Sequence, residues 1–131
     1  MGVDIENGRV FSGCHNKVMT VLDTKGGKVI ASLPIGGNVD GNGFDSGRGL
    51  AFSSNGDGTL TVAGETSPGK FEVLETVLTQ RGSRTMAVDP LSHNIYLPAA
   101  QFSLPKVSGE GSSKARPEMI KGSFEILVVG K

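Results

Sequence analysis

A chain of 131 residues has the length of one domain and is long enough to bury a core. Its 13 basic and 13 acidic residues cancel, so a nucleic-acid partner has no electrostatic support, and no apolar run approaches the ~20 residues of a spanning helix. Twenty Gly and six Pro, with β-branched runs between them, favour short strands and tight turns over helices.

The first expected strands are residues 9–13 and 18–23, separated by a Cys14-His15-Asn16 turn; residues 1–3 are hardly enough for a strand of their own. Thr24-Lys25-Gly26-Gly27 reads as a hairpin turn, since Gly supplies the positive φ such turns need. A strand at 28–33 follows, and Pro34 ends it. The same order then recurs. Strands are expected near 41–44, at 50–53, at 59–63 and at 71–77, with Asn55-Gly56-Asp57-Gly58 the clearest hairpin signal in the chain. The third pass has strands at 84–88 and 94–99. It is then interrupted by 102–121, a Gly-, Ser-, Lys- and Pro-rich stretch read as an inserted loop, mobile unless a partner orders it. Residues 123–129 form the third strand of that unit, and its fourth is missing.

The recurrence has a fixed mark. Asp4, Asp45 and Asp89 each stand seven residues before an aromatic, Phe11, Phe52 and Tyr96, and the copies start 41 and 44 residues apart (4 to 45, 45 to 89). That period belongs to four-stranded propeller blades. The expected fold class is all-β: a β-propeller of four-stranded antiparallel blades, about three per chain, in one partial propeller domain. The blades are placed at about 1–37, 38–80 and 81–131. Three blades cannot close a ring, and an open stack leaves apolar faces in water. A homodimer closing head-to-tail into six blades is the expected remedy.

Several residues invite a chemical reading. Asp40 and Arg84 both lie five residues before their repeat's Asp, so they enter the innermost strands at equivalent points. With Asn42 and Arg81 they form a candidate ligand site for a small polar molecule at the rim of the channel; the plainer reading is a solvated ion pair between blades. The Asp at the start of each repeat reads as an Asx-type turn rather than a ring of carboxylates. Asp40-Gly41-Asn42-Gly43-Phe44-Asp45 has the look of a calcium loop, but the ligand spacing fails at Phe44, and turn formation explains its Gly and Asn. Cys14 and His15 are neighbours that an extended segment points apart, and His93 is the only other His, so no zinc set completes. No metal or other cofactor is expected, and no nucleophile, metal-protease or phosphate-loop motif occurs.

Phe11-Ser12-Gly13-Cys14, the run from Val18 to Asp23, Lys28-Val29-Ile30 and Ile35-Gly36 together resemble one repeat of the YVTN-type β-propeller proteins, the YncE-like group. Gly49-Leu50-Ala51-Phe52-Ser53-Ser54-Asn55 and Met86-Ala87-Val88-Asp89-Pro90 resemble its second and third repeats. Met19, Leu22 and Lys25-Gly26-Gly27 are mild departures. The resemblance implies a seven-bladed, commonly exported bacterial parent of which this chain matches the C-terminal three blades, with binding or scaffold roles. The leading expectation is a non-catalytic scaffold binding a protein or small polar ligand. The alternative is a lactonase-like hydrolase with a polar or metal site in the channel, and a third reading is a structural piece that only self-assembles. No membrane partner is expected. The compartment stays open: cytoplasmic if the chain is complete, periplasmic or secreted if it comes from an exported parent. The single Cys14 does not decide it.

Overall fold

The computed structural model describes residues 1–103 and 117–130, so the core of the expected loop insertion, 104–116, lies outside the described residues. Those residues hold eleven strands and no helix, in three antiparallel sheets. The first sheet orders β1 (Gly2–Asp4), β2 (Arg9–Cys14), β3 (Val18–Asp23) and β4 (Lys28–Pro34). The second orders β5 (Val39–Asp45), β6 (Leu50–Asn55), β7 (Thr59–Ser67) and β8 (Lys70–Leu78). The third has three strands: β9 (Ala87–Val88), β10 (Ile95–Ala99) and β11 (Glu125–Val129).

Most strand ends shift by one to four residues from the sequence reading, and two elements change outright. The short lead before Asp4 does form a strand, because Gly2, Val3 and Asp4 pair with Phe11, Val10 and Arg9. The strand expected at 84–88 shrinks to Ala87–Val88. Thr85 there adopts φ 52°, a left-handed conformation that no strand accommodates.

The repeat is carried into register. Phe11 pairs with Val21, Phe52 with Val62 and Tyr96 with Val128. Each of these pairs stands on one face of its sheet, the front, and residues between them stand on the back. The front of the first sheet packs on the back of the second: Phe11, Met19 and Val21 meet Val39, Ala51, Ala63 and Phe71 in one buried cluster. Phe11 stacks on Phe44 at 5.2 Å between centroids and meets Phe71 edge-on at 5.9 Å. The front of the second sheet packs in the same sense on the back of the third, where Phe52, Leu60 and Val62 meet Ile95 and Leu97.

Stacking this close needs glycine on the inner strands. A Cβ at Gly2 would come within 2.7 Å of the Gly43 carbonyl oxygen, and one at Gly43 within 2.7 Å of Val88. The run from Asp40 to Asp45 is therefore strand β5, neither a calcium loop nor a turn, and its glycines serve close approach.

Candidate functional site

The loops that join β2 to β3 and β6 to β7 lie at the same end of their sheets as the segments that carry the chain from one sheet to the next. Hydrogen bonds tie them together: Gly56 N–H donates to Asn38 O, Gly82 N–H to Gly56 O, and Thr79 N–H to Gly58 O, at 2.8–3.0 Å. Of the four residues expected to form a ligand site, Asp40, Arg81 and Arg84 lie near this end and Asn42 lies in the middle of β5, and no hydrogen bond or ion pair among the described residues joins two of their side chains.

Asn42 is spent on holding two sheets together. Its Oδ1 accepts from Gly13 N–H at 2.9 Å and its Nδ2 donates to Phe52 O at 3.4 Å. Asp40 accepts from the backbone N–H of Thr85 at 2.6 Å, across the boundary between the second and third sheets. It does not pair with the Arg84 side chain; the described residues form three salt bridges, none of which includes Arg84. Arg81 sits in the turn closed by Ser83 N–H donating to Gln80 O and is exposed.

Arg84 reaches a cavity of about 670 Å³ with a mostly apolar wall: Pro98, Ala100, Phe102, Met119 and Phe124. Part of that wall is the root of the insertion. Phe102 and Met119 pair as an antiparallel bridge, Ser103 N–H donates to Glu118 O and Ile120 N–H to Gln101 O, both at 2.9 Å. The Ser123 hydroxyl accepts from Gln101 N–H at 3.0 Å and is 2.7 Å from Ile120 O. Composition hid this wall, since the residues that build it are scattered through a stretch with polar, breaker-rich content.

The Asp that opens each repeat makes the expected Asx-type contacts. Asp4 accepts from Asn7 N–H, Asp45 from Gly47 N–H and Asp89 from Leu91 N–H, at 3.0–3.1 Å. One copy does more. Asp45 is 1% exposed, and both of its oxygens lie 2.9–3.0 Å from His93 Nδ1, which donates from the third sheet's first turn. His93 stands at a repeat position where the other copies have Gly8 and Gly49, each at φ 65°. His93 adopts φ 59° there, a conformation costing a non-glycine residue about 1 kcal/mol. Gly47 leaves room for the imidazole, because a Cβ on it would collide with His93 Cε1. The sequence signal was present: a His in a slot that is Gly twice. Cys14 and His15 lie in a turn closed by Lys17 N–H donating to Cys14 O at 3.1 Å, and the described residues hold no cluster of three or more His, Cys, Asp or Glu fit for a metal.

No family model matches the chain, and no curated protein matches it in sequence. Among solved structures it is similar to a functionally unknown protein from Desulfotomaculum acetoxidans DSM 771, with a TM-score of 0.59 and 15% identity. The match covers 88% of this chain and 38% of that one, so this chain spans well under half of that protein. At that identity the likeness concerns the fold alone: an all-β protein of stacked antiparallel sheets.

Proposed function

We propose that the chain is a propeller-type scaffold of the YVTN kind whose three sheets are blades, and that it completes its ring by assembling with a second copy. The observation that carries this reading is the repeat itself. At equivalent positions the front residues Met19 and Leu60 are fully buried, whereas Ile126 is 47% exposed; Val21 is 0% and Val62 9% exposed, whereas Val128 is 57% exposed. At the opposite end Val3 and Val29 of the first sheet are 49% and 58% exposed, on the back face whose counterparts in the other two sheets are packed. One chain thus offers an uncovered front and an uncovered back of the kind it twice buries against each other.

Two copies stacked head-to-tail would bury both pairs of faces and give six blades, within the usual range for a closed ring. The binding role follows from the loop end of that ring, where Arg84 and the cavity lie. Native mass spectrometry over a range of concentrations tests the assembly. The expected species has twice the 13.6 kDa chain mass, and Ile126→Glu returns it to single chains. Single chains alone up to high micromolar concentration would overturn the reading.

A further inference from the structure

We propose that the cavity beside Arg84 is a binding site for a small amphipathic carboxylate, a molecule with one negative charge and an aliphatic or aromatic body. This deepens the binding role just described, yet the cavity belongs to a single chain and does not depend on the ring.

Three observations carry it. The first is the wall. Phe102, Met119 and Phe124 line the cavity while remaining 53%, 54% and 60% exposed, an apolar cost that a bound apolar body would remove. A volume of about 670 Å³ lies within the ordinary span of small-molecule sites. The second is the charge. Among the described residues that line the cavity Arg84 is the one ionisable group, and a planar guanidinium matches a carboxylate with two parallel hydrogen bonds. A doubly charged phosphate would leave one charge uncompensated against apolar surface. A neutral ligand would leave the guanidinium unused.

The third is how the arginine is held. Arg84 N–H donates to Pro98 O at 3.3 Å, and the next amide, Thr85 N–H, donates to Asp40 at 2.6 Å. Thr85 is β-branched and sits at φ 52°, a strained conformation that the Asp40 contact secures. Without that turn the chain would continue as a strand through 84 and 85. With it, the backbone carrying Arg84 is fixed at the cavity mouth by its own bond to β10 and by the Thr85 bond to Asp40. Pro98 of the cavity wall pairs with Ile126, and Phe124 stands two residues before Ile126 on the same front face, so the cavity adjoins the surface offered to a neighbouring blade and the site is tested on single chains.

Calorimetric titration with octanoate and with 1-octanol tests the site. Octanoate should saturate at one per chain and bind at least about tenfold more tightly than octanol, a charge-assisted hydrogen-bond increment. Arg84→Gln should erase that preference while leaving octanol binding as it was; since Arg84 is exposed, the variant should fold normally. Ala100→Trp should fill the cavity and abolish both. Equal affinity for the two probes, no saturable binding of octanoate, or a preference that survives Arg84→Gln would overturn the proposal. Native mass reports assembly separately, and Ile126→Glu is titrated beside the unaltered chain to keep the face uncovered: single chains of that variant that ignore octanoate refute the site and leave the scaffold reading to the native mass. An unaltered chain that stays single yet binds octanoate refutes the scaffold reading and spares the site.

Discussion

The second and third sheets are built on the same repeat, and they differ in what lies against them. In the second sheet the front residues Phe52, Leu60 and Val62 are 3%, 0% and 9% exposed, sealed by the back of the third. In the third sheet the matching positions hold Tyr96, Ile126 and Val128; Tyr96 is half-buried, while Ile126 and Val128 are 47% and 57% exposed. The inner strands differ in the same way. Gly43 has no room for a Cβ, while Ala87 carries one at the equivalent place and is exposed. Apolar character at a repeat position therefore reports what a face is suited to meet, while burial reports what is present to meet it.

The comparison can be broken most forcefully at its centre. Leu60→Ala should cost about 2–5 kcal/mol, because it empties a fully enclosed site. Ile126→Ala, at the matching position, should cost under about 1 kcal/mol in the separate chain, where its side chain is already half in water. Urea unfolding at low and high protein concentration measures both. If two copies cover that face, the Ile126 penalty should grow with concentration while the Leu60 penalty stays constant.

A smaller effect is expected where the two sheets are pinned together. His93→Ala leaves the buried Asp45 without its partner from the third sheet and should cost about 1–3 kcal/mol. His93→Gly loses the same contact but relieves the positive φ, and should recover about 1 kcal/mol of that loss. Thermal unfolding of the two variants checks the order. Alanine no worse than glycine would mean that the backbone there carries little strain.

Acid should act most weakly. At Asp57, burial pushes the carboxyl up, but hydrogen bonds from Gly37 N–H, the Thr59 hydroxyl and Thr59 N–H, with the charge of Lys17, outweigh it and hold the group below its ordinary 3.8. Asp89 is held below 3.8 by the Ser92 hydroxyl and by Leu91 N–H. A carboxyl lowered by folding stabilises fully above its unfolded value, and that contribution is lost as pH falls through the folded one. Stability should accordingly fall below about pH 4, and Asp57→Asn should make the fall shallower. Urea midpoints measured at a series of acid pH values test this; an unchanged slope in the variant would remove Asp57 from the account.

Much of the strand pattern was legible because it depends on neighbours a few residues apart. The Asp-to-aromatic spacing, the Gly-rich hairpins, the apolar run within 18–23 and the alternation within 59–63 each specify local geometry, and the structure realises them as paired strands. The three-residue strand β1 was missed because its pairing is supplied by Arg9, Val10 and Phe11 rather than by its own composition. The shortening at 84–88 was hidden for the same reason: Thr85 is a good strand former by type, and its left-handed turn is secured by Asp40, forty-five residues away.

For the candidate site, sequence position brought Asp40 and Arg84 together at one end of adjacent sheets but could not say what each would touch. A side chain's partner is set by distances of a few ångströms across a packed boundary, which repeat spacing does not encode. So the carboxylate went to a backbone amide, Asn42 to a seam between sheets, and Arg84 to an apolar cavity walled by the ends of an insertion. By itself the sequence determined the period, the strands and the apolar faces, because those are matters of local conformation and alternation. The tertiary structure alone decided which faces were sealed, which His found the buried Asp45, and which charge was left at the cavity mouth, because each depends on the stacking of one sheet on the next.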